Sequence, residues 1–109
     1  MFNFFTSRKI EKSALNIYRG MWEKGLSVRL TLEDKYSNVV RLNCGRFQLH
    51  IKSNILADRC RWRDVEDTET LLVRTFAVAL ACSNFGKPFS QFSHMVNGLT
   101  LDGTNENIF

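Results

Sequence analysis

Three consecutive stretches between residues 26 and 52 alternate apolar and polar residues, and no other feature constrains the fold of this chain as much. The inward positions of the three stretches are Leu26, Val28, Leu30 and Leu32, then Val40, Leu42 and Cys44, then Phe47, Leu49 and Ile51. A two-residue period predicts strands with one face on a core and the other in solvent. The short connections, with Gly45-Arg46 as a tight hairpin turn, predict antiparallel pairing.

Residues 57–63 continue the alternation and predict a fourth strand at an edge of the sheet. Cys60 and Trp62 are separated by Arg59, Arg61 and Arg63. In an extended segment the two apolar side chains point to the core and the three guanidinium groups point outward. We therefore expect three or four strands.

A helical period precedes the strands. The first helix is predicted from about Arg8 to Lys24, with Thr6 or Ser7 as its cap and Phe5 packed on Ile10 as a hydrophobic staple. Gly25 is expected to end it in a left-handed conformation.

Two more helices are predicted after the strands. Residues 68–85 are apolar nearly all round, which is typical of a central, buried helix. Arg74 interrupts this segment, and we expect it at the helix periphery near a carboxylate or solvent. Pro88 is suited to open a short last helix that ends at Gly98.

The chain of 109 residues is thus predicted to be one α+β domain. It would have an N-terminal helix, an antiparallel sheet of three or four strands, and two C-terminal helices packed on one sheet face. Residues 1–5 and 102–109 are expected to fray.

The most apolar segment and the cysteines indicate the compartment in which the protein is expected to act. The most apolar segment, residues 71–85, carries Arg74 and is shorter than the roughly 18 residues that a membrane span needs, so no membrane partner is expected. The three cysteines, Cys44, Cys60 and Cys82, lie far apart, and none forms a C-x-x-C pair. Unpaired, inert thiols in a cytoplasmic protein are the expectation.

Charge is unevenly distributed along the chain. Residues 1–63 hold 13 Lys or Arg against five Asp or Glu, whereas residues 64–109 hold two against six. If the alternation holds, one sheet face displays a basic cluster. Its predicted members, the candidate partner-binding residues, are Arg29, Arg41, His50, Lys52, Arg59, Arg61 and Arg63.

A face of this kind has three interpretations. It can bind an acidic protein surface, which makes the chain a non-enzymatic adaptor, inhibitor or regulator. It can instead bind nucleic-acid phosphates, although Phe47 and Trp62 fall on the inward side and leave no aromatic platform for bases. In the third interpretation, carboxylates such as Glu33 and Asp58 fold back and neutralise the cluster.

Catalytic, metal and cofactor motifs are not predicted. Ser90 and His94 are four residues apart on the predicted last helix, but no orienting carboxylate or oxyanion loop accompanies them. Cys44 is predicted inward and His50 outward, which separates them as metal ligands. We expect a protein that is not an enzyme.

Large apolar residues also stand at both ends of the chain, with Phe2, Phe4 and Phe5 at one end and Ile108 and Phe109 at the other. They can cover the ends of the core or form a self-association patch. The sequence therefore favours neither a homodimer nor a monomer.

Overall fold

The fold was analysed in a computed structural model, which describes residues 4–62 and 68–99. Its elements in chain order are α1 (Phe4–Glu23), β1 (Arg29–Leu32), β2 (Val39–Cys44), β3 (Phe47–Lys52), α2 (Asn54–Trp62) and α3 (Thr68–Asn84), followed by the 3₁₀ helices η1 (Phe89–Gln91) and η2 (Ser93–Gly98). The predicted α+β class, with an N-terminal helix, an antiparallel sheet and C-terminal helices, is confirmed.

The sheet has three strands in the order β1-β2-β3, and both pairings are antiparallel. The inward positions of β2 are buried, and the two strands beside it place Leu30 and Leu49 opposite Leu42. Gly45 has a φ of 58° in the two-residue turn between β2 and β3. That conformation favours glycine and confirms the predicted hairpin.

Helix α3 is the central element of the core, as its composition predicts. Val73, Phe76 and Val78 are all at most 2% exposed. The helix packs along α1 and also contacts β2 and β3, so it links the N-terminal helix to the inner face of the sheet. Arg74 is half-buried, and its partner is Tyr18 of α1, whose hydroxyl lies 3.4 Å from Arg74 Nε.

The prediction of a fourth strand over residues 57–63 is wrong, because residues 57–62 belong to α2; Arg63 lies outside the described residues. The side chain of Ser53 caps this helix by accepting a hydrogen bond from the Leu56 N–H at 3.2 Å. Leu56 and Ala57 are buried, and Cys60 packs against the core one turn later. These residues follow a helical period that overrides the arginine alternation.

Helix α1 begins at Phe4, four residues before the predicted start at Arg8. Thr6 is therefore inside the helix, and the predicted cap and staple are wrong. Residues 4–9 contain neither Gly nor Pro to stop a helix, so the helix extends beyond its buried face, which starts at Ile10. At the other end Gly25 has the expected left-handed conformation, with a φ of 66°.

The second C-terminal helix consists of the two 3₁₀ helices η1 and η2. Phe92 separates them with a φ of −124°, while its side chain is 1% exposed in the core. Met95 and Val96 are buried beside it. None of the helices in the described part of the chain has the length and apolar character needed to cross a membrane.

Candidate functional site: the outer face of the sheet

The outer face of the sheet is the surface of β1, β2 and β3 that points away from the helices. The strand register places Thr31, Arg41 and His50 in one cross-strand row. A neighbouring row holds Arg29, Asn43 and Gln48, and Lys52 lies opposite Val39. Four of the seven predicted site residues, Arg29, Arg41, His50 and Lys52, are therefore on this face.

Glu33 lies directly after β1, and its carboxylate contacts two residues of the outer face. Its carboxylate accepts a hydrogen bond from Arg41 Nη2 at 2.6 Å, and its other oxygen lies 3.0 Å from His50 Nδ1. The hydrogen bond from Arg41, followed by the positive charges of Arg41 and His50, lowers the pKa of Glu33 despite opposing desolvation. Glu33 thus neutralises part of the cluster, as one interpretation of the sequence anticipates.

Polar contacts extend from Glu33 across the face. His50 Nε2 lies 3.3 Å from Gln48 Oε1, and Gln48 Nε2 donates to Asn43 Oδ1 at 2.8 Å. The amide and imidazole groups are exposed or half-buried and hold one another in place. They give the face a fixed set of hydrogen-bonding groups between its cations.

Arg29 and Lys52 lie at opposite corners of the face, and both are exposed. Within residues 4–62 and 68–99 neither has an ion-pair partner. Because their charges are not offset by a carboxylate there, these two side chains are the cations most available to a binding partner.

The other three predicted members are not brought to this face by the described structure. Arg61 points to the turn between β1 and β2, where it donates to the carbonyls of Lys35 and Ser37, and it also pairs with Asp58 at 3.2 Å. Arg59 is half-buried and lines a groove between α2 and η2. Arg63 lies outside the described residues.

The pairs considered for catalysis or metal binding are not assembled. Ser90 lies in η1 beside β3, whereas His94 lies in η2 and lines the groove that contains Arg59. Cys44 and His50 are on opposite faces of the sheet. Among the described residues, no group of His, Cys, Asp and Glu is arranged to hold a metal ion.

All three cysteines are free. Burial raises the pKa of the Cys82 thiol to about 11 and also raises the pKa of Cys44 and Cys60. Each thiol is therefore protonated and a weak nucleophile near neutral pH.

Compared with family models, curated proteins and solved structures, the chain matches none of them.

Proposed function

We propose that this chain is a non-enzymatic interaction or regulatory protein whose outer sheet face binds an acidic protein surface. The observation that carries the proposal is the charge on that face. Arg29, Arg41 and Lys52 are opposed by one carboxylate, that of Glu33, and Arg29 and Lys52 are exposed without an ion pair in the described structure. A partner with carboxylates at matching positions would relieve the repulsion between these cations.

A protein partner is favoured over nucleic acid for two reasons. The strand residues of the outer face include no Phe, Tyr or Trp within the described structure, so this face offers no aromatic ring on which bases of a single strand can stack. Phe47 is 64% exposed, against the prediction that it is buried, but it is in the inward register at the end of β3. Glu33 also places a negative charge among the cations, where it repels a continuous phosphate backbone. A protein surface can offer acidic and hydrogen-bonding groups in alternation, which suits the Gln48 and Asn43 amides.

The proposal is tested by fluorescence-anisotropy titrations of a labelled poly-glutamate and a labelled DNA duplex. The test variant is the double change Arg29→Glu and Lys52→Glu. Its matched control is Lys12→Glu and Lys24→Glu, which changes the net charge equally at exposed residues on and just after α1. Both proteins are measured at about 50 and about 200 mM salt, because screening reports the electrostatic part of binding.

We expect poly-glutamate to bind the wild type and the control alike, and the test variant about tenfold more weakly, since two favourable charges become repulsive. Equal weakening by both variants would mean that only net charge matters and would contradict a defined face. Tighter binding of the duplex than of poly-glutamate, lost in the same variant, would assign the face to nucleic acid instead.

We further propose a reducing compartment, the cytoplasm, as the site of action. The support is the free state of the three thiols, since small domains in oxidising compartments usually pair their cysteines.

A further inference from the structure

Strand β3 lies at an edge of the sheet. Within the described structure, its backbone N–H and C=O groups that point away from β2 are free for pairing. It is six residues long and pairs with β2 in an unbroken register, without a bulge. The Ser53 N–H donates to the Asn38 carbonyl at 2.9 Å, just beyond the strand ends. Because bonded pairs alternate along an antiparallel ladder, the N–H and C=O groups of Gln48, His50 and Lys52 point away from β2.

An open groove of about 470 Å³ runs beside this edge, and all five residues from Gln48 to Lys52 line it. Its far side is formed by the end of α3 and the segment that enters η1, with Cys82, Pro88 and Phe89 as apolar groups. Lys87 also lines it, and the hydrogen bond from its N–H to the Cys82 carbonyl at 2.9 Å fixes its backbone.

The groove is basic as well as apolar. Its lining residues include Lys52, Lys87 and His50. Within the described structure, no Asp or Glu lines the groove. Glu33, which contacts His50 from the outer face, is itself paired with Arg41. An occupant of this groove is therefore favoured when it carries negative charge along one side and apolar groups along the other.

We infer that the edge of β3 binds an extended acidic segment of a partner protein as a fourth strand. This inference rests on the proposed function and specifies how the partner is held. Side chains opposite Gln48, His50 and Lys52 share the outer face with them, and every second side chain points toward the groove. The segment thus alternates acidic and apolar residues. Its main chain supplies the affinity through hydrogen bonds to β3.

A second copy of the chain is a poorer occupant. Its own β3 would bring another Lys52, Lys87 and His50 to the same edge, and like charges gathered at an interface oppose association. An acidic segment replaces that repulsion by attraction.

The experiment uses three synthetic peptides of about eight residues with alternating glutamate and valine. One is unmodified, one is N-methylated at every glutamate, and one is N-methylated at every valine. The peptides carry the same charge, but each methylated series blocks hydrogen bonding along one edge of an extended strand only. Binding to the full chain is measured by isothermal titration calorimetry.

In antiparallel pairing, the residues directly opposite Gln48, His50 and Lys52 direct their N–H groups toward β3, and these residues are the glutamates. Methylation at glutamate should therefore weaken binding by about 30-fold, because three backbone hydrogen bonds are lost. Methylation at valine should leave the affinity within about twofold. Equal affinities for the two methylated peptides would overturn strand addition.

A protein variant tests the groove independently. Lys87→Glu should weaken binding of the unmodified peptide by about fivefold, because Lys87 lines the groove and lies outside the strands of the sheet. The control Lys24→Glu should bind as the wild type does. An unchanged affinity in Lys87→Glu would place the peptide elsewhere and overturn the inference.

The two proposals fail in different ways. If the peptides bind through Arg29 and Lys52 but ignore both N-methylation and Lys87→Glu, the outer face is the binding surface and the added strand is excluded. If neither the peptides nor poly-glutamate bind, both proposals are contradicted. A doubled mass of the free protein in sedimentation, made more stable by Lys87→Glu because that change relieves the like-charge repulsion at the edge, would assign the edge to a second copy.

Discussion

At the scale of single residues, Glu33 decides how the outer face behaves. Within the described structure it is the only carboxylate that pairs with cationic or potentially cationic residues of that face, and it pairs with two of the four, Arg41 and His50. The sequence offers Glu33 only as one of several carboxylates that can fold back on the basic cluster. The register shows why Glu33 reaches it, because Arg41 and His50 are cross-strand partners and Glu33 follows Thr31 by two residues, on the same side of the sheet.

Replacing Glu33 should strengthen binding of an acidic ligand. In Glu33→Gln the side chain keeps its shape but loses its charge, and Arg41 and His50 are no longer neutralised. We expect poly-glutamate to bind about threefold more tightly, since one repulsive charge is removed from the face. An anisotropy titration measures this. Weaker binding would show that Glu33 holds the cations in their binding positions instead.

The same variant predicts a pH dependence of stability. The folded-state pKa of Glu33 is lower than its ordinary value, so its pairing with Arg41 stabilises the fold above that ordinary value. This contribution is lost as the pH falls through the folded-state pKa. The difference in unfolding free energy between wild type and Glu33→Gln should therefore shrink between about pH 6 and about pH 3. A difference that stays constant over this range would contradict the pairing.

The cysteines give a third prediction for single residues. Cys44 and Cys82 are buried, and Cys60 is half-buried, so labelling of the native protein by a thiol reagent should be slow and should begin at Cys60. Unfolded protein should show three reactive thiols. An intramolecular disulfide in freshly purified, unreduced protein would exclude the proposed compartment.

At the scale of elements, the alternating strands were predictable, whereas α2 was not. Burial on one side of the sheet enforces a two-residue period in β2 and at Leu49 and Ile51 of β3, and this period is visible in the sequence. Phe47, predicted inward, is 64% exposed at the start of β3. Residues 54–62 satisfy two patterns at once, because the arginines alternate while Leu56, Ala57 and Cys60 keep a helical spacing. The choice between them depends on tertiary contacts, among them the hydrogen bonds from Arg61 to the turn carbonyls. Those contacts are not visible in a local pattern.

The Ser53 cap tests the assignment of α2. Ser53→Ala removes the acceptor for the Leu56 N–H and should lower the unfolding free energy by about 1 kcal/mol. Ser90→Ala is the matched control, since Ser90 is exposed and makes no hydrogen bond of its side chain within the described structure. Chemical denaturation of both variants measures the difference. Equal stability of the two would argue against a capped helix at residues 54–62.

At the scale of the whole molecule, the fold separates a helical side from an open sheet face. Helices α1 and α3 pack together, and α3 covers the inner side of β2 and β3. The outer face is left with Arg29, Arg41, His50 and Lys52, four of the seven residues that the sequence pattern assigned to it. Self-association through the terminal aromatics stays a prediction, supported by Phe5, whose side chain is 71% exposed on α1.

A residue-resolved NMR titration shows whether the outer face of the sheet is the binding surface. The ¹⁵N-labelled protein is titrated with poly-glutamate, and amide shifts are followed along the chain. Binding at the outer face should place the largest changes on β1 and β3, around Arg29, His50 and Lys52, while the amides of α1 stay in place. Changes concentrated on α1 near Phe5, with the strand amides unmoved, would contradict it.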